Sequence, residues 1–290
     1  MVFDLLEDKL VEAIKNSVTS ISKSTLEALQ AARDKGSGSA RVQLEAMLEA
    51  VEVSEKRKVP VCQDTGIPTF YVRVGKSFGY MSGLGELKDT LRNSVRRATE
   101  EVPLRPNTVH PITGKNRGDN TGRHIPYIEW SITDGDKIDI HYLPKGGGSE
   151  NMSQLTMMTP GKGLTGVKEI ILDRIATMEG KPCPPTVVGV GLGGGANIAM
   201  NLAKEALLRP VGERHEEDEI SELEMEMNEK ANELGIGPMG VGGKTSVLDI
   251  HIDYAHRHPA SYPVGIIVQC WANRRARVTI SSDGSVEVLQ

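Results

Sequence analysis

The 290-residue sequence is short of apolar and especially of aromatic side chains, at 38% and 4%, and has no run of about 18 apolar residues that would span a bilayer. That excludes a membrane protein. A charged fraction of 25% is ordinary for a soluble globular chain and speaks against full disorder. There is no basic excess either: 34 Lys and Arg stand against 39 Asp and Glu, a formal net charge of -5, so nucleic acid is a poor partner. Cysteine is scarce and odd in number, three in all at Cys62, Cys183 and Cys270, which argues against a disulfide framework. The first ten residues, MVFDLLEDKL, carry acids where a signal peptide needs a basic stretch, so the expected location is the cytoplasm. The length admits one large domain or two, with a real core in either case.

Apolar residues recur at helical spacing over 3–33 (Leu5, Leu6, Leu10, Val11, Ile14, Val18) and again over 40–53, after a Gly-Ser break at 36–39, which predicts a two-helix hairpin. Short apolar runs over 59–74, flanked by Pro60, Gly66 and Pro68, predict strands with tight connections. A polar helix is expected over 84–101, with Arg92, Arg96 and Arg97 on its wet face. Residues 103–122, rich in Pro, Gly and Asn, form a loop long enough to be a candidate site rim. Segments 127–132 and 137–143 alternate as strands and are joined by Thr-Asp-Gly-Asp at 133–136, the pattern of a hairpin.

Further along, a helix over 165–178, a strand over 186–190 and a helix over 197–208 are expected. An acidic helix over 216–234 carries an apolar stripe of Ile220, Leu223, Met227 and Leu234 and reads as solvated with one packed face. A closing hairpin is centred on Asp283-Gly284. With no βαβ rhythm and several antiparallel pairs, the fold class is α+β: N-terminal helices followed by a mixed, partly antiparallel sheet packed with helices.

Glycine is in excess, 31 residues or about 11% against a usual 7%. Gly189 to Gly194 satisfies GxGxxG after an apolar strand, but the polar, proline-containing run 209–218 stands where the ribose-binding acid should end a second strand, so the dinucleotide reading is set aside. What survives is a helix start suited to an anion. Gly243-Lys244-Thr245 fails as a P-loop because Pro238 stands where the motif needs glycine.

The cysteines sit beside prolines and polar residues, in Cys62-Gln63-Asp64-Thr65-Gly66, Pro182-Cys183-Pro184-Pro185 and Gln269-Cys270-Trp271, and no CxxC occurs. They are either small buried hydrophobes or ligands. Three converging thiolates would suit an iron-sulfur cluster better than zinc, and a three-cysteine cubane leaves one iron open as a Lewis acid.

With Leu104-Arg105-Pro106, Lys145-Gly-Gly-Gly-Ser149, Gly240-Val-Gly-Gly-Lys244, and His258 placed twelve residues before Cys270, these motifs resemble the class I iron-sulfur fumarase family over nearly the whole chain. The length resembles the α subunit of two-subunit fumarases and tartrate dehydratases. The resemblance implies that residues 1–290 form an iron-sulfur hydro-lyase α-subunit catalytic domain of one or two lobes. It also implies a 4Fe-4S cluster on Cys62, Cys183 and Cys270. Gln63, Asp64, Arg105 and the Gly148 N–H would bind the dicarboxylate, with Asp64 and His258 in proton transfer. His256, Arg257, Arg274 and Arg275 remain unassigned. Because the family's second part supplies further basic residues and a hydroxyl for proton abstraction, a separate β subunit and an α2β2 assembly are expected. The implied reaction is reversible hydration of fumarate to malate, with tartrate dehydration as the sister activity. A non-catalytic iron-sulfur sensor subunit is the rival from another class.

Overall fold

The structure, a computed structural model, describes residues 2–79, 83–102 and 104–290; Pro103, which opens the expected long loop, lies outside them. In chain order the elements are α1 (Val2–Thr19), α2 (Lys23–Lys35), α3 (Gly38–Arg57), β1 (Ile67–Gly75), α4 (Leu84–Glu101), β2 (Tyr127–Thr133), β3 (Ile138–Lys145), α5 (Gly147–Glu150), β4 (Gln154–Met158), α6 (Gly163–Met178), β5 (Thr186–Gly193), α7 (Ala196–Ala206), α8 (Asp218–Glu233), β6 (Val247–Ala255), β7 (Tyr262–Gln269), β8 (Ala276–Ile280) and β9 (Val286–Leu289). Among the described residues no helix is long and apolar enough to cross a membrane.

The class is α+β, as expected, and the chain divides into two compact units. The first comprises Met1–Ser22, Ala50–Gly146 and Arg274–Gln290, the second Lys23–Glu49 and Gly147–Asn273. The first unit holds a five-stranded sheet in the order β2-β1-β3-β8-β9. Its core joins Leu6, Leu10 and Ile14 of α1 and Leu87 and Leu91 of α4 to Phe70 of β1. The fully buried ones each contribute about 1.5–3 kcal/mol of hydrophobic free energy.

Three expectations for this region are corrected. The periodic run 3–33 is two helices, not one, so the N-terminal region has three helices rather than a two-helix hairpin. The break falls where Thr19 Oγ1 donates to Lys15 O at 2.9 Å and Ser20 Oγ donates to Asn16 O at 2.9 Å, local bonds that compete with helix propagation. Residues 59–74 hold one strand, β1, preceded by a loop. The strands expected at 127–132 and 137–143 both form but do not pair: β1 lies between them, parallel to β2 and antiparallel to β3. The end of β1 occupies the mouth of the turn, with Gly75 N donating to Lys137 O at 2.7 Å and Lys76 N to Thr133 O at 2.8 Å.

The second unit is built on a four-stranded sheet, β4-β7-β5-β6. One face packs on Val167, Ile171 and Ile175 of α6 and Leu223, Met227 and Ala231 of α8. Ala231 completes the acidic helix's stripe, while Leu234 is 40% exposed. The other face takes α7, and here the GxGxxG glycines find their use. A Cβ on Gly189 would stand 1.9 Å from Ala203 O, and one on Gly191 2.0 Å from Ala199 O, so only glycine lets α7 lie this close to β5.

Candidate functional site

In the first unit the Cys62–Gly66 loop runs from the end of α3 into β1. Val61 N donates to Val18 O at 2.9 Å, tying the loop to the end of α1. Gly66 has φ +86 and lies against the main chain at Pro144 and Lys145, where a Cβ would come within 2.7 Å, so it seats the loop on the Lys145 end of β3. Cys62 and Asp64 are half-buried and Gln63 is exposed.

Asp64 Oδ1 accepts from Gly66 N at 3.0 Å and from Asn107 Nδ2 at 3.3 Å. The Arg105 loop is pinned to the same place through its main chain. Thr65 Oγ1 and Asn120 Nδ2 donate to Arg105 O at 3.2 and 3.1 Å, and Asn107 N donates to Asn120 Oδ1 at 2.7 Å. Asn120 sits at φ +55, a conformation that asparagine tolerates better than most side chains. The Arg105 side chain is exposed and meets no partner among the described residues. Gln63, Asp64 and Arg105 therefore belong to one pair of adjoining loops, the second of them drawn from the 104–122 segment.

Two residues here escaped sequence reasoning. Asn107 is the side-chain bridge between the loops. Arg274 is 1% exposed and donates through Nη1 to Asp64 O at 2.6 Å. Its sequence signal was weak, since a pair of arginines usually marks a solvated surface.

In the second unit Cys183 lies in the Pro-Cys-Pro-Pro loop at φ +57, a left-handed conformation costly for a non-glycine residue and enriched at functional sites. Its carbonyl accepts from Trp271 N at 3.1 Å, which seats the Cys270 turn beside it, and Pro184 O accepts from Met239 N at 2.8 Å. Gly180 and Gly240 touch main chain to main chain, a Cβ on Gly240 falling 2.7 Å from Gly180 Cα. The Cys183 loop, the Cys270 turn and the 240–244 glycine loop thus form one seam.

Gly148 is exposed in the first turn of α5, where N–H groups lack helical acceptors, and nothing stands within 4 Å of the position a Cβ would take. His258 is exposed in a tight turn, its Nδ1 accepting from Ala260 N at 3.1 Å and its carbonyl accepting from Ser261 N at 3.0 Å. Nearby, an open cavity of about 440 Å³ is lined by Leu192, Gly193, His256, Arg257 and Tyr262 among others, and Arg257 stacks 4.5 Å above the Tyr262 ring.

Within this unit lies a buried charge network. Glu224, wholly buried in the acidic helix, accepts from Ile252 N at 2.7 Å and pairs with Arg209 at 2.8 Å. Asp249 accepts from Gly212 N at 2.6 Å and from Arg214, and lies 3.1 Å from His251 Nε2. Burial alone would raise the Asp249 carboxyl, but the bonds from His251 and Arg214 outweigh it and hold it down at about 2.

Among the described residues no three His, Cys, Asp or Glu side chains are gathered into a metal-holding group. The fit of an iron-sulfur group is therefore a matter of donor chemistry, and that chemistry is suitable. None of the three thiols is crosslinked, and none is fully buried. Gln269 and Asn273, one and three residues from Cys270 in sequence, are fully buried with side-chain amides that find no hydrogen-bond partner among the described residues, the kind of orphaned polar group that calls for a further occupant nearby.

A family model described as fumarate hydratase (Fumerase) matches residues 7–279. A Methanocaldococcus jannaschii protein named "Putative L(+)-tartrate dehydratase subunit alpha" is 44% identical over 284 residues, covering 97% of this chain and 99% of its own. An Escherichia coli protein named L(+)-tartrate dehydratase subunit alpha is 34% identical over 288 residues, covering 97% and 94%.

Proposed function

The chain belongs to the fumarate hydratase family, a family of hydro-lyases, and we propose that it is the α subunit of a two-subunit enzyme that adds water to, or removes it from, a four-carbon dicarboxylate. What supports this most is the seam that joins Cys183 O to Trp271 N and Pro184 O to Met239 N, bringing three of the family-like motifs together within one unit. In this reading Cys62, Cys183 and Cys270 hold a 4Fe-4S cluster, which when bound supplies an open iron acting as a Lewis acid toward the substrate hydroxyl.

The chain's own residues bind and orient. Gln63 and Asp64 face the dicarboxylate from a loop held by Asn107 and Arg274. Arg105, exposed at its guanidinium and pinned at its carbonyl, meets a carboxylate with its planar fork. Gly148 offers a main-chain N–H. His258 has Nδ1 engaged by the Ala260 N–H, so Nε2 is the atom that holds a proton. Hydration across a double bond needs a base and an acid on opposite sides, and Asp64 and His258 are this chain's candidates for one of the two. A separate β subunit in a cytoplasmic α2β2 assembly supplies the remaining basic and hydroxyl groups.

Two substrates have support. The family's description favours fumarate and malate, while the names of the relatives favour L(+)-tartrate, at least as strongly. The deciding experiment is anaerobic production of the chain with its β subunit, iron-sulfur loading, and parallel assays of fumarate hydration and tartrate dehydration. Cluster-dependent turnover of fumarate supports a fumarase, and turnover of tartrate alone supports the sister enzyme. A loaded complex that turns over neither overturns the hydro-lyase reading and favours a sensing subunit.

A further inference from the structure

Arg274 is the largest fully buried side chain among the described residues, and it has no carboxylate partner among them. Its Nε is buried without a hydrogen bond. A buried guanidinium without a counter-ion is costly and calls for an explanation. The nearby phenol of Tyr142 does not serve as one, because burial pushes it up and keeps it neutral.

The guanidinium reaches 210 residues back along the sequence to donate to Asp64 O at 2.6 Å. A Cβ built on Gly146 would stand 3.1 Å from Asp64 Oδ2 and 3.4 Å from Arg274 Nη2, so the three groups share one small space. Gly146 is not among the glycines with positive φ, so what a side chain there would change is room and not conformation, its Cβ pressing on the ends of Asp64 and Arg274. The other carboxylate oxygen, Oδ1, is taken by Gly66 N and Asn107 Nδ2. Arg274 grips the main chain of Asp64, fixing the residue's place without engaging its carboxylate in a fork-to-fork pair.

We propose that Arg274 is a positioning residue for Asp64, setting its carboxylate against the Gly146 main chain; this rests on the reading of Asp64 as a substrate-facing group. Gly146 is the third member of the arrangement, its missing side chain leaving the gap in which the carboxylate sits. The arrangement predicts that shortening the fork and filling the gap have the same consequence.

The test uses the iron-loaded complex with its β subunit and whichever of malate or tartrate it turns over, and compares Arg274→Lys, Gly146→Ala, Asp64→Asn and the Arg274→Lys/Asp64→Asn double variant. Misplacing a reacting group is worth about tenfold or more in rate, so Arg274→Lys and Gly146→Ala should each lower kcat about tenfold. KM should stay within about twofold and iron per chain should not change. In the Asp64→Asn background, Arg274→Lys should lower kcat no further. Hydrogen exchange should speed up over residues 62–66 in Arg274→Lys and leave β1 unchanged. An undiminished Arg274→Lys effect in the Asp64→Asn background, or losses that track iron content alone, would overturn the proposal. Asp64→Asn at full kcat would instead sink the reading of Asp64 itself. Unchanged exchange over 62–66 would remove Arg274 while leaving Asp64 standing.

Discussion

Besides the main-chain contact of Gly66 with Pro144 and Lys145, the first unit fastens its loops with side-chain amides and hydroxyls, Asn107, Asn120 and Thr65 each reaching a neighbouring main chain or carboxylate. The second presses main chain on main chain at Gly180 and Gly240 and at Gly191 under Ala199, with a buried charge network within it. A neutral hydrogen bond contributes about 1 kcal/mol and tolerates small shifts, whereas a main-chain contact at this range tolerates no added atom. The residues proposed to meet substrate, Gln63, Asp64 and Arg105, lie on the adjustable loops. Two of the three proposed cluster ligands, Cys183 and Cys270, lie on the rigid seam.

The largest effects should come from the thiols. Cys62→Ser in the first unit, or Cys183→Ser or Cys270→Ser in the second, should each reduce iron content and hydro-lyase activity together to background, as measured by iron analysis and turnover of the same sample. Full activity in any one of them would return that cysteine to a packing role. Next is Gly191→Ala, whose Cβ would lie 2.0 Å from Ala199 O. It should cost the second unit about 3 kcal/mol, read from denaturant unfolding.

Acid should separate the units. In the first, burial and then the charges of Arg73 and Arg277 lower His141 from 6.5 to about 4. The folded chain refuses a proton that the unfolded chain accepts, so this contribution is complete above pH 6.5. It falls by about 3 kcal/mol at most as the pH drops to 4. His141→Gln should flatten that slope in pH-dependent unfolding.

In the second unit Asp249 is held at about 2 instead of 3.8, so its stabilisation is complete above pH 3.8 and is lost as the pH falls through 2. That is worth about 2 kcal/mol, and Asp249→Asn should abolish the slope below pH 4. A slope that survives either substitution would assign it to other groups. The smallest effect is Asn107→Ala, at about 1 kcal/mol in thermal unfolding with the second unit's hydrogen exchange unchanged.

Where the signal was local, it was legible in the sequence. The helix Leu84–Glu101 and the closing β8–β9 hairpin follow from periodicity and turn residues within about twenty positions. Pairing over longer range was not: nothing in 127–143 announces that β1, some fifty residues earlier, enters between two strands that look like a hairpin. The acidic helix shows the same limit, since Glu224 is buried only because Arg209 and the Ile252 N–H meet it from distant segments.

At the candidate site, the Asp64 and Arg105 motifs lie on adjoining loops and the Cys183 and Cys270 motifs on one seam, a juxtaposition that short motifs far apart in the chain do not announce. The supporting residues Asn107 and Arg274 were invisible, because an asparagine in a polar loop and an arginine beside another arginine read as surface until their partners are in place.

The most direct test of the cluster assignment is a Mössbauer measurement on the anaerobically loaded complex with and without dicarboxylate. Three cysteine ligands for four irons predict one distinct iron whose signal moves when substrate is added, while the others stay. Four irons that ignore the dicarboxylate, or a chain that takes up no iron at all, would contradict the account.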